Sequence, residues 1–129
     1  MARLSIRIDF EPSGSALGPG MAQLLERIAE HGSIRQAAAS MDMSYRKAWL
    51  LIQEVQKTFD GAVVTAAAGG IAGGGTQLTA LGQTLIQCYR RIESAATRAV
   101  QSDLRMLAAM VKDDAAPRRS ARRKPAKPG

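Results

Sequence analysis

Residues Gly32 to Phe59 read GSIRQAAASMDMSYRKAWLLIQEVQKTF, and this stretch decides the fold. Ser33 is a good helix N-cap, and Gln36 three residues later completes a capping box. Ile34, Ala37, Ala38 and Met41 then recur at helical spacing. The small alanines allow a second helix to come close. Met41-Asp42-Met43 breaks the run, and Ser44 is a second N-cap. Ala48, Leu51, Ile52 and Val55 follow at i, i+3, i+4 and i+7, the buried stripe of a second helix.

That second helix opens with Ser44, Tyr45, Arg46 and Lys47, which places hydroxyls and positive charge in its first turn. In a helix-turn-helix, the first residues of the second helix meet base edges in the major groove. Arg and Lys suit guanine O6 and N7, and hydroxyls suit phosphates or bases. The other reading of the same residues is a plain helical hairpin with a solvated basic first turn.

The flanking sequence frames this unit. Leu4, Ile6, Ile8 and Phe10 alternate with Arg3, Ser5, Arg7 and Asp9, the pattern of a half-buried strand. Glu11 to Ser15 reads as a turn or loop. A helix starts near Gly18-Pro19, carries Met21, Leu24, Leu25 and Ile28 on one stripe, and stops at Gly32. After Asp60-Gly61, Ala62 to Ala67, with Val63, Val64 and Thr65, reads as a short strand. A glycine loop from Gly69 to Gly75 follows, and Thr76-Gln77-Leu78 returns as a second strand. No lysine lies near that loop, so it lacks the ending of a phosphate-binding P-loop, and the dinucleotide fingerprint spacing is also absent. A hairpin with a glycine tip accounts for it.

Thr79 caps a helix that runs roughly 30 residues before the next proline. Leu85, Tyr89, Ile92, Ala96, Ala99, Met106 and Met110 fit a 4-3 spacing, interrupted at Asp103. One small domain has little core left to cover so long a stripe, and a second copy of the chain covers it economically. The alternative is a helix packed on its own domain with a frayed end. The fold class is therefore mainly α: a helix-turn-helix with a β-hairpin wing and a long C-terminal dimerisation helix. Residues 1–78 form the first unit, 79–114 the long helix and 115–129 a basic tail.

Charge is uneven along the chain. It has 18 basic and 11 acidic residues, a net +7. The tail holds six of the bases, Arg118, Arg119, Arg122, Arg123, Lys124 and Lys127, and no acid, which leaves residues 1–114 nearly neutral. The tail is too polar and Pro-rich to fold alone. The single cysteine, Cys88, lies in a helical pattern and suits a reducing cytoplasm. The single histidine, His31, has no cysteine or acid at ligand spacing, so no metal and no cofactor are expected. No Ser-His-Asp set or His/Cys/acid cluster points to an enzyme. The uncharged run Gly61 to Tyr89 contains seven glycines with several Thr and Gln, which argues against a membrane span. No secretory signal is read at MARLSIRIDF.

The segments GSIRQAAASMDMSYRKAW, GGIAGGG and LTALGQTLI together resemble the N-terminal DNA-binding domain of the molybdate-responsive transcriptional regulators, the ModE family, a relative of the LysR-type domain. The resemblance covers roughly Arg7 to Arg91. It implies a winged helix-turn-helix, a homodimer, and a palindromic operator on double-stranded DNA. Ser33, Arg35 and Gln36 match the start of the first helix of the motif. Ser44, Tyr45, Arg46, Lys47 and Trp49 match its reading face, and Gly73, Gly74 and Gly75 the wing. Two departures stand out. The family continues into molybdate-binding β-barrels that are not read in this sequence, so molybdate is not expected to bind this chain. The wing also lacks the basic residues usual in the family, and the tail cations are candidates to supply phosphate affinity in their place. Two other readings of the whole remain: a non-specific nucleic-acid-binding protein driven by the tail, and a protein-protein adaptor.

Overall fold

The computed structural model describes residues 1–67 and 75–112. Contacts divide the chain into two units, one from Ser5 to Ala95 and one of Met1–Leu4 with the residues from Ala96 onward. In the first, β1 (Ile8–Phe10) pairs antiparallel with β2 (Ser15–Leu17). Then come α1 (Pro19–His31), α2 (Ile34–Ser40), α3 (Tyr45–Phe59), β3 (Val64–Ala66), β4 (Thr76–Leu78) and α4 (Ala80–Ala99). The mainly helical class with a hairpin wing is borne out.

Local chemistry explains the boundaries. Gly18 precedes Pro19, whose fixed φ suits the first helical position of α1. Gly32 ends that helix at φ 68°, a left-handed conformation that glycine adopts without a Cβ penalty. The Ser33 hydroxyl accepts from the Gln36 N–H at 3.1 Å, and the Ser44 hydroxyl from the Lys47 N–H at 3.0 Å. Between α2 and α3 the chain turns at Asp42, at φ 55°, while the Met43 N–H returns to the Ala38 carbonyl at 3.0 Å. A short polar side chain tolerates that conformation better than a branched one.

The core lies where α1, α2 and α3 meet. Leu24, Leu25 and Ile28 pack with Ala37, Ala38, Ala48, Ile52 and Val55, joined by Val63 and Leu85. Ala37, Ala38 and Ala48 are fully buried, so the helix-turn-helix closes through small residues. Leu51, expected on the buried stripe, is only half-buried. A second cluster, Leu17, Ala22 and Tyr89 with Ile8, Phe10 and Met21, covers the β1–β2 hairpin.

The expected N-terminal strand is shorter than its alternation. Burial alternates from Ser5 to Phe10, but pairing is confined to Ile8–Phe10. Its partner β2 has little strand character, and only its first residue, Ser15, falls in the expected loop. The turn between them closes where the Gly14 N–H reaches the Phe10 carbonyl at 2.9 Å.

The wing hairpin is anchored at both ends of its strands. The Val63 N–H donates to the Gln56 side chain at 3.0 Å, and the Thr76 N–H to the Gly32 carbonyl at 2.9 Å. The Thr79 hydroxyl donates to the Ala62 carbonyl at 2.6 Å and accepts from the Gly82 N–H at 3.1 Å, so it caps α4 as the sequence implied. Arg90 joins α4 to α1, donating to both carboxylate oxygens of Glu26 at 2.8 and 2.9 Å, and to Glu93 at 2.8 Å. The hydrogen bond from Arg90 holds the Glu26 carboxyl below its ordinary range despite partial burial. Glu26 and then Glu93 hold the Arg90 guanidinium up in turn.

The expected single long helix is two. Beyond Ala99, α5 spans Gln101–Met110, with Val100 at φ −114° and ψ 21° between them. The hydrogen-bond ladder still passes through the joint: Val100 donates to Ala96 at 3.2 Å and accepts from Leu104 at 2.9 Å. In the second unit Met106, Leu107, Met110 and Val111 are exposed. Among the described residues, no helix is long and apolar enough to cross a membrane.

Candidate nucleic-acid interface

The buried stripe of α3 fixes which residues face outward. With Ala48, Ile52 and Val55 turned into the core, Arg46 and Leu50 point away from it, and Tyr45 and Trp49 lie along one edge. Tyr45, Arg46, Lys47, Trp49 and Leu50 are all exposed. They occupy the first turn and a half of a helix whose start is pinned by the Ser44 cap. Ser44 and Ser33 therefore have positioning work: each hydroxyl is engaged by a helix N–H.

Arg35 comes into this group from α2. Its guanidinium lies over the Tyr45 ring, 4.7 Å from the centroid, a cation–π contact that links the two helices of the motif. Gln36 is exposed beside it. Arg35, Arg46 and Lys47 thus bring three cations to one end of the motif, where Asp42 in the turn is the one acid between Gly32 and Gln53. The N-terminal dipole of α3 adds partial positive charge at the same end.

Gly75 stands just past the loop-side end of the wing strands, its carbonyl accepting from the Ala67 N–H at 3.1 Å. A β-carbon at Gly75 would lie 3.0 Å from that of Ala67, so the strands draw together there. Gly73 and Gly74 lie outside the described residues, as do Arg118, Arg119, Arg122, Arg123 and Lys124. Thr65, Ala66 and Gln77 are the exposed wing side chains described, and none is charged.

The residues expected on a dimer seam divide. Leu85 and Tyr89 are buried in their own domain, and the Tyr89 hydroxyl donates to the Ile6 carbonyl at 2.6 Å. Their place in that stripe is corrected: the first turns of α4 belong to the core, because Leu85 joins the helix-turn-helix cluster and Tyr89 the cluster of Leu17 and Ala22. Ile92, Ala99, Met106 and Met110 are exposed and Ala96 half-buried. Leu50, which the sequence reading left out, is 47% exposed on the outward face of α3. Its position one turn after Arg46 was the available signal.

No protein-family model matches the chain. It is 39% identical over 93 residues to the molybdenum-pterin-binding protein MopB of Rhodobacter capsulatus, covering 72% of this chain and 34% of MopB. Over 93 residues it is also 39% identical to the molybdenum transport protein ModE of Azotobacter vinelandii, covering 72% of this chain and 33% of that protein. With the DNA-binding transcriptional dual regulator ModE of Escherichia coli strain K12 it shares 44% identity over 71 residues, 55% of this chain and 27% of that one. The chain spans about a third of the length of these relatives. Among solved structures, the CbnR DNA-binding domain in its DNA complex superposes with a TM-score of 0.53 at 22% identity, covering 71% of this chain and 97% of that domain. Full-length CbnR with its target DNA gives 0.51 at 20% identity, over 65% of this chain and 27% of that one. The fold is thus the winged helix of the CbnR DNA-binding domain, and in sequence the matched residues are similar to the N-terminal part of ModE and MopB.

Proposed function

We propose that the chain is a sequence-specific DNA-binding transcriptional regulator of molybdenum-related genes, acting in the cytoplasm as a homodimer on a palindromic operator. Catalysis has no part in this reading. The observation that carries it is the outward face of α3: Arg46 and Lys47 exposed in the first turn, Tyr45 and Trp49 beside them, and Arg35 added from α2. Such a surface suits entry of α3 into the major groove, with Arg46 donating to a base edge and Lys47 to phosphate. The homology to ModE supports the gene class.

Exposed apolar side chains support a second copy: Ile92 in the first unit, and Met106, Leu107 and Met110 in the second. Two half-sites about one helical turn apart follow from two-fold symmetry.

Arg46→Ala tests the reading on DNA recovered by selection with the wild-type chain. A base-reading Arg46 gives a loss of about 1–3 kcal/mol and relaxed preference at one position of each half-site. A small, uniform loss across all sequences favours non-specific binding driven by the tail. No change favours an adaptor surface.

A further inference from the structure

Tyr45 and Trp49 are 42% and 44% exposed, and they lie one turn apart on the same edge of α3. With Arg46 they line a shallow pocket. Leu50, 47% exposed, extends the apolar surface on the far side of Arg46. A face that only neutralised phosphate would have no use for two aromatic rings and a leucine.

The charge around the patch says what it meets. Arg35, Arg46 and Lys47 surround it, and along α3 the first acid is Glu54. An anionic partner suits that setting, yet the rings themselves need an apolar group. In the major groove the bases present donors, acceptors and one apolar group, the C5 methyl of thymine. The Tyr45 ring is also held beforehand, since the Arg35 guanidinium lies 4.7 Å from its centroid, so little side-chain freedom remains to be lost on binding.

We propose that Tyr45 and Trp49 read thymine C5 methyl groups flanking the base contacted by Arg46, making them specificity-determining residues of the interface. This rests on the DNA-binding reading above. It adds that each half-site contains thymines recognised by their methyls rather than by their hydrogen-bonding edges.

The test uses the full chain and a duplex recovered by selection, with single thymines replaced by deoxyuridine, which removes the methyl and leaves the base-pairing edge intact. The expected result is a fall in affinity of about fourfold for each contacted methyl, the gain that burying one such group provides. Thymines outside the half-sites should show none. Trp49→Ala or Tyr45→Ala should bind the thymine and uracil forms of one contacted position equally. Uracil tolerated at every position by the wild-type chain would overturn the proposal, while selective recovery of the duplex would leave the DNA-binding reading standing. A uracil penalty that persists in both variants, each checked for helical content, would overturn it too, because another residue would then read the methyl. Failure to recover any duplex selectively would remove both.

Discussion

Gly82 in α4 faces the carbonyl oxygen of Val63 so closely that a β-carbon at position 82 would overlap it. The same carbonyl accepts from the Thr79 N–H at 3.0 Å, and the Thr79 hydroxyl reaches the Ala62 carbonyl, so the start of α4 is docked on the backbone leading into the first strand of the wing. Gly82 is fully enclosed by this approach.

Gly82→Ala should therefore destabilise the domain. In an open helix the change from glycine to alanine stabilises by about 1 kcal/mol. Here overpacking against a backbone atom, at about 1–3 kcal/mol, opposes and outweighs it. Thermal or urea unfolding is expected to show a net loss of up to about 2 kcal/mol. A more stable variant would mean that α4 lifts from the wing without penalty.

The Tyr89 hydroxyl holds the segment before β1 through the Ile6 carbonyl at 2.6 Å. Burial, with help from Glu93, pushes the phenol up against the opposing effect of Arg90, so it remains a donor across the neutral range. Tyr89→Phe keeps the ring in its cluster and leaves the carbonyl without that donor. A loss of about 1–2 kcal/mol is expected, with faster amide exchange around Ile6 to Ile8. Unchanged exchange there would show that the strand is held by packing alone.

Glu26 sets an acid limb of stability. Its carboxyl is held below its ordinary value of 4.5, first by the hydrogen bond from Arg90. A depressed carboxyl pKa contributes stability that is present above the unfolded value and lost as pH falls through the folded one. The contribution is screened, because the Glu26 side chain is 38% exposed. Urea midpoints of the wild type should fall as the pH drops below about 4.5, and Glu26→Gln should flatten that part of the fall. Equal slopes for the two proteins would remove the pair as a contributor.

The tail offers a test of how phosphate affinity is divided. Arg118, Arg119, Arg122, Arg123, Lys124 and Lys127 are proposed to supply charge that Thr65, Ala66 and Gln77 of the wing do not. Each phosphate neutralised should steepen the logarithmic salt dependence of binding by about 0.9. Replacing the tail cations by glutamine should make the slope shallower, and an equal slope would assign the tail no role.

The helix-turn-helix was legible because its signals are local. Ser33, Ser44, Gly32 and Thr79 each act within three or four residues, and each does in the structure what its position implied. What stayed hidden depends on distant partners. Ser15-Ala16-Leu17 becomes a strand only because Ile8–Phe10 lies beside it. Leu85 and Tyr89 share a spacing with Ile92, and spacing alone cannot say which of them the same chain will cover. The cation–π contact of Arg35 with Tyr45 needs the turn geometry at Asp42, which the residues between them do not reveal. Leu50 stands outside the apolar stripe of α3, and its exposure follows only once Ala48, Ile52 and Val55 are turned into the core.

The central claim is that this chain selects a DNA sequence, and the most direct measurement is recovery of genomic fragments by the purified full-length protein at roughly physiological salt, where weak electrostatic binding is screened. The account predicts enrichment of a palindrome with half-sites about one helical turn apart, near genes of molybdenum transport or use. Recovery of fragments without a shared sequence would contradict it and would leave non-specific binding by the basic tail as the explanation.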